Sequence, residues 1–208
     1  MSRDDARGDP LPANPPHPMT DKVALRRELR RKRAALPKAQ RQAAERAFAR
    51  HAGRLIKRGQ RVAMYLAAGS ELSLSPLIAR TLARGIPVYL PIVPRRGRVM
   101  QFTPLGAPGG AWHFNRFGIR EYQAPARIAA HKLDLVFVPL VGFDATRARL
   151  GQGGGFYDTT FAFRRLRRNW RKPKLIGAAF ALQQAAQIPA EPHDARLDMV
   201  LTEHGRLG

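Results

Sequence analysis

The chain has 208 residues and no cysteine, so disulfides, thiolate catalysis and Cys-based zinc or iron–sulfur sites are excluded, while 44% hydrophobic content suits one folded domain with a sizeable core. Lys and Arg number 37 against 15 Asp and Glu, a net charge of +22 that attracts polyanions, whether nucleic acid, anionic lipid or a multiply charged small molecule. No apolar run approaches the roughly 18 residues that a membrane span needs, and no secretory h-region follows Met1, so the expectation is a cytoplasmic protein that does not meet the membrane.

Residues 1–19, rich in proline, read as a disordered leader ahead of a single domain over 20–208. Leu25, Leu29 and Leu36 predict an amphipathic helix over 22–35, interrupted by Pro37. Ala44, Phe48 and Leu55 predict a second over 39–57, ended by Gly59. Between Lys22 and Arg58 fourteen Lys and Arg face only Glu28 and Glu45, so more than half of the excess charge sits on this pair. A β-type run follows at 61–66, then a loop at 67–71. Ser75 as N-cap and Pro76 at the first helical position open a helix that ends near Arg84, with Gly85 suited to a left-handed cap. Residues 86–93 form a strand whose Pro87 and Pro91 argue for an edge or irregular position. Residues 99–105 pair back on it through Arg95-Arg96-Gly97, and 106–122 read as irregular. The apolar run 133–138 is a central strand covered on both faces. A glycine-rich loop at 151–155 leads into a helix over 156–168, and further strands lie at 175–180 and 198–202. Strands alternating with helices predict an α/β layer fold with a largely parallel sheet.

The chemistry concentrates in Pro139-Leu-Val-Gly-Phe-Asp144 and Arg149-Leu-Gly-Gln-Gly-Gly-Gly-Phe-Tyr-Asp158. Four glycines within five positions, between a buried strand and a helix, let successive backbone N–H groups point into one concavity, for which phosphate is the natural guest. No Gly-Lys-Ser/Thr follows, so this is no Walker A loop, and Phe156 stands where a dinucleotide fingerprint needs glycine. Arg149 supplies a fork for phosphate oxygens, and Asp158 a carboxylate able to hold magnesium against them. Each has a bland alternative: a flexible glycine turn, and an acid that favours a helix start.

This decapeptide resembles the nucleotide-binding signature of the 5-formyltetrahydrofolate cyclo-ligase family. Further matches follow the family's order: Lys22-x-x-x-Arg26, Leu66 and Glu71 after the first strand, Trp112-x-x-Asn115-x-Phe117-Gly118-Ile119-x-Glu121, and Pro192-His-Asp194-x-x-x-Asp198. The resemblance spans roughly residues 20–204. It implies a three-layer, NagB/RpiA/CoA-transferase-like fold with a mostly parallel, partly mixed sheet flanked by helices. It also implies ATP- and magnesium-dependent closure of 5-formyltetrahydrofolate to 5,10-methenyltetrahydrofolate: the formyl oxygen is phosphorylated, N10 attacks, and phosphate departs. By the same resemblance Lys22, Arg26, Arg149, Gly151, Gln152, Gly153, Gly154, Gly155, Phe156 and Tyr157 hold the nucleotide. Arg149, Tyr157 and Asp158 serve catalysis, Leu66, Glu71 and Trp112 the folate, and Asp158 and Asp194 the metal. The expected partner is the small folate, with or without a polyglutamate tail, and the expected state is a monomer. Gln152, Gly154 and Tyr122 depart from the family's more usual Arg, Lys and Pro.

Two other readings compete. A nucleic-acid-associated protein on the same fold would use the basic helical pair and Arg164, Arg165, Arg167, Arg168, Arg171 and Lys172, but would not need Asp158 and Asp194. A sugar-phosphate or CoA-processing enzyme would need a nucleophilic Glu or an acid/base pair that no motif here supplies.

Overall fold

A computed structural model describes residues 18–166 and 172–207. Residues 1–17 of the expected leader, and Arg167, Arg168 and Arg171, lie outside this range. The chain runs through α1 (Pro18–Ala34), α2 (Lys38–Gly53), β1 (Val62–Ala63), α3 (Ser75–Ala83), β2 (Val88–Ile92), β3 (Gln101–Pro104), β4 (Ala111–Phe114) and β5 (Arg120–Gln123). It continues through β6 (Ile128–Ala129), β7 (Leu135–Pro139), β8 (Gly142–Phe143), β9 (Arg149–Leu150), α4 (Phe156–Thr160), β10 (Lys174–Ala178), β11 (Met199–Thr202) and β12 (Gly205–Leu207).

Eight strands share one sheet in the order β12-β11-β10-β7-β1-β2-β3-β6. From β11 to β2 all pairings are parallel, and antiparallel strands close both sides. The mostly parallel, partly mixed sheet is therefore as the sequence led us to expect. In β7, Leu135 and Phe137 enter one core cluster while Val136 and Val138 enter the other, the period of two that a strand imposes. Both faces must then be apolar, which is why this run reads as continuous. Phe48 of α2 and Leu77 of α3 cover the first face; Phe161, just after α4, covers the second. Phe48 meets Phe137 edge-on at 6.1 Å with no exposure of either ring, and removing one such ring costs about 3–5 kcal/mol.

Several elements differ from the sequence reading for identifiable reasons. β2 is an internal strand. Val88 and Leu90 face β3, whereas Tyr89 accepts a bond from Met64 on the β1 side. Pro91 faces that same side beyond the last β1 pairing, Ala63 with Tyr89, so its missing N–H removes no ladder bond. Ser75 is the first residue of α3 and not its cap; its N–H donates to Ser73 Oγ at 3.2 Å. The helix expected at 156–168 stops at Thr160 and continues as a 3-10 turn over Ala162–Leu166. The stretch 106–122 contains the β4 strand and most of β5, paired as a hairpin. Only Val62–Ala63 of the run 61–66 joins the sheet.

α1 docks through Leu29, 1% exposed, which packs with Val141, Leu150 and Ile188. A Cβ on Gly142 would stand 2.4 Å from Leu29 Cδ1, so glycine is what lets the helix approach β8. This docking orients the basic stripe of α1 toward the carboxyl ends of the parallel strands.

Candidate active site

A cleft of about 500 Å³ opens there. Tyr65 and Leu66 follow β1, Leu90 and Pro91 belong to β2, and Pro139 ends β7, so the floor is built from adjoining strand ends. The glycine-rich loop forms one wall, and the β4–β5 hairpin supplies Asn115, Phe117, Arg120 and Glu121 to another.

In the loop, Gly153 (φ 101°) and Gly155 (φ 68°) adopt left-handed backbone that side-chain-bearing residues rarely take. Among the described residues, the N–H groups of Gly153, Gly154 and Gly155 donate no hydrogen bond within the chain. They are thus available to an anion. Arg149 lies against Gly151 with its side chain 4% exposed; Nη2 donates to Asp158, and buried Nε has no partner among the described residues. Asp158 Oδ1 also accepts the Ala195 N–H at 2.9 Å, joining the loop to the 191–197 segment. Burial opposes ionisation of Asp158, but Arg149 and the Ala195 N–H outweigh it and hold the carboxyl below its usual range. Burial, reinforced by the Glu71 charge, pushes the phenols of both Tyr157 and Tyr65 upward despite neighbouring arginines, so both remain protonated donors at neutral pH.

Four basic residues on successive turns of α1 bind the chain around this cleft. Lys22 Nζ lies 2.6 Å from Glu191 Oε1 and 3.6 Å from Asp194 Oδ2. Arg26 Nε donates to Gly151 O at 2.9 Å, and Arg30 Nη2 to Gln152 Oε1 at 2.5 Å. Arg33, 3% exposed, donates to Ser70 Oγ and Leu140 O at 3.1 and 3.2 Å. Gln152 in turn donates Nε2 to Glu71 Oε1 at 2.8 Å, while Glu71 Oε2 accepts the Ala68 N–H. The departure from arginine at position 152 therefore creates a bridge from the loop to Glu71, and Arg30 brings a cation back to the place.

Of the residues expected from sequence, the structure gathers Leu66, Glu71, Arg149, Gly151, Gln152, Gly153, Gly154, Gly155, Phe156, Tyr157 and Asp158 on the cleft. Arg26 touches the loop from outside, and Lys22 and Asp194 meet each other beside it. Trp112 does not line the cleft. The hairpin register sets it opposite Tyr122, against whose ring it packs at 5.2 Å, and Tyr122 takes the lining position. Sequence reasoning left out Arg30, Arg33, Tyr65, Arg120 and Glu121. Arg30 was signalled by the four-residue spacing from Lys22 and Arg26, and Glu121 by the central motif. Glu121, 4% exposed, accepts from Val93 N at 2.8 Å, Asn115 Nδ2 at 3.4 Å and Gln123 Nε2 at 2.5 Å, which ties the hairpin to β2.

No group of three His, Asp or Glu side chains among the described residues makes a metal cage. That donor set still fits magnesium, which is commonly held by one or two carboxylates together with substrate phosphates and water. Asp158 lines the cleft, and its Oδ2 accepts no hydrogen bond among the described residues.

An open, mostly parallel sheet with an amide-lined glycine loop over a polar and aromatic cleft at its strand ends defines the class, an α/β enzyme. Comparison makes the placement specific: the chain belongs to the 5-formyltetrahydrofolate cyclo-ligase family, whose model matches residues 18–203. A 5-formyltetrahydrofolate cyclo-ligase of Haemophilus influenzae is 34% identical over 184 residues, 85% of this chain and 95% of that protein. The solved 5,10-methenyltetrahydrofolate synthetase of Aquifex aeolicus superposes with a TM-score of 0.68 at 26% identity, covering 89% and 91% of the two chains. That of Mycoplasma pneumoniae gives 0.69 at 21% identity over 88% and 99%, and supports the fold.

Proposed function

We propose that the chain closes 5-formyltetrahydrofolate to 5,10-methenyltetrahydrofolate with ATP and magnesium, releasing ADP and phosphate. One observation carries the reading: Glu71, suited to the N–H donors of a pterin, and the free amides of the glycine loop share a single cleft and are joined through Gln152. In this reading a folate's N5 side meets a nucleotide's terminal phosphate there.

The formyl oxygen takes the terminal phosphoryl group and ADP leaves. N10 then attacks the formyl carbon, the C–O bond breaks, phosphate departs, and N10 gives up its proton. The loop amides and Arg149 stabilise charge on the transferring group. Arg26 and Arg30 keep the loop in shape from α1, and Lys22 adds positive charge beside Asp194. Asp158 and Asp194 would hold magnesium, which offsets phosphate charge when bound. Tyr157, protonated, donates within the cleft or braces it by stacking on Phe161 at 6.1 Å.

The test is direct. Purified protein with 5-formyltetrahydrofolate and Mg·ATP should develop methenyl absorbance in the near ultraviolet; none, at any enzyme concentration, rejects the reading. Salt-sensitive RNA binding in its place would favour the nucleic-acid alternative. The described members of that basic cluster are already engaged: Arg164 with Asp198 at 2.6 Å, Arg165 with His193 O, and Lys172 with Asp134 at 2.7 Å.

A further inference from the structure

We propose that Arg120 is the receptor for the carboxylate-bearing tail of the folate and that Trp112 is its positioning residue. The proposal rests on the reading above, that the cleft takes a reduced folate. Arg120 opens β5 and lines the cleft at the hairpin lip. Its guanidinium carbon lies 4.2 Å from the Trp112 ring centroid. The register explains the contact: Trp112 is opposite Tyr122 and Phe114 opposite Arg120, so Trp112 and Arg120 are diagonal neighbours on one hairpin face. Trp112 is braced behind by the Tyr122 ring, itself fixed by an Oη donation to Ala107 O at 2.9 Å.

Stacking occupies the face of a guanidinium and leaves its N–H edge free. Among the described residues the Arg120 side chain donates no hydrogen bond and makes no ion pair, whereas the side chains of Arg26, Arg30, Arg33, Arg149 and Arg164 all donate. The adjacent acid, Glu121, is buried and taken up by three donors of the fold, so it does not neutralise the lip. Arg116 adds a second cation there, stacked 4.9 Å from Phe117 and 5.8 Å from Phe156. A pre-oriented fork beside an apolar ring suits a planar carboxylate. A folate carries two carboxylates on the glutamate at the end away from its pterin. With the pterin on Glu71, that end leaves by the lip.

The experiment compares 5-formyltetrahydrofolate with 5-formyltetrahydropteroate, which lacks the glutamate. The wild type should show a KM for the glutamylated compound about tenfold lower, equivalent to about 1.4 kcal/mol. Arg120→Gln should abolish that preference by raising the KM of the glutamylated compound alone, with kcat within about twofold and an unchanged far-UV circular dichroism spectrum. Trp112→Ala should lose part of the preference, and Trp112→Phe should keep most of it. The assignment is overturned if Arg120→Gln moves both compounds equally, or moves the KM of ATP instead. A wild type that processes neither compound overturns the cleft reading and this one with it, whereas turnover with no preference overturns this one alone.

Discussion

Asp158 ties two distant parts of the chain together before any ligand arrives. Its Oδ1 accepts from Arg149 and from the Ala195 N–H, so a group assigned to a metal from sequence also neutralises a nearly buried guanidinium. Asp158→Asn keeps an acceptor for Ala195 but removes the countercharge. Turnover with Mg·ATP should fall at least about a hundredfold, while calorimetry should find 5-formyltetrahydrofolate affinity within about threefold. Unfolding free energy should drop by about 1–3 kcal/mol, below the cost for a fully buried pair because Asp158 is partly exposed. Equal losses of nucleotide and folate affinity would contradict the metal role. The loop, Arg149 and Asp158 were legible in the sequence because their chemistry is local, packed into ten consecutive residues. Arg33 was not, and the spacing that sets Arg30 on the Lys22/Arg26 face does not say what that face meets: a basic residue on a helix reads the same whether it faces water or a loop more than a hundred positions away. Trp112 was read from its motif as a folate contact; that it shares a hairpin face with Tyr122 and Arg120 and leaves the lining to them depends on how neighbouring side chains pack, which residue spacing does not carry.

Between β8 and β9 the chain turns around Asp144. Its Oδ1 accepts from Thr146 N, Thr146 Oγ1 and Ala148 N, and its Oδ2 from Ile188 N. Burial works against the charge, yet these donors outweigh it and lower the carboxyl below its usual value. A group whose folded pKa is depressed stabilises the fold above its unfolded pKa, about 3.9, and that contribution disappears as pH falls through the folded value. Asp144→Asn should therefore be less stable than the wild type at pH 7, by about 1–3 kcal/mol, with the gap closing as pH is lowered below about 4. A gap that stays constant in acid would show that the charge is not what Asp144 contributes. α1 offers a test at the same scale. Gly142→Ala must displace Leu29, so α1 shifts and carries Lys22, Arg26 and Arg30 with it. The expected result is a KM for ATP raised several-fold by a methyl group that touches no ligand, alongside a stability loss of about 1–3 kcal/mol. An unchanged KM in a destabilised variant would separate α1 from the loop. None of this was visible in the sequence, where Gly142 belongs to a run that also suits an ordinary strand end.

Across the whole molecule, alternation of strands and helices was enough to obtain the layered α/β architecture, because a parallel sheet forces both its cover and its crossovers. Internal placement of β2 escaped, because proline reports only that one N–H is missing and not which side of the strand lacks a neighbour. The net charge of +22 acts on the entire fold: like charges repel in the compact state, and the same field draws anionic ligands. Added salt should then have opposite effects on two measurements. Between about 20 and 300 mM NaCl the thermal midpoint should rise by a few degrees while the KM values for both anionic substrates increase. A midpoint that falls would mean that the ion pairs binding α1 to the 191–194 segment outweigh the general repulsion.

The sheet ends in very short strands, two residues in β6 and three in β12. An incoming chain seeking to extend the ladder would find only a bond or two at either margin, far too little to template a fibril. Five parallel strands, the slowest kind to assemble and the most exposed meanwhile, are thereby fenced in by the briefest of borders.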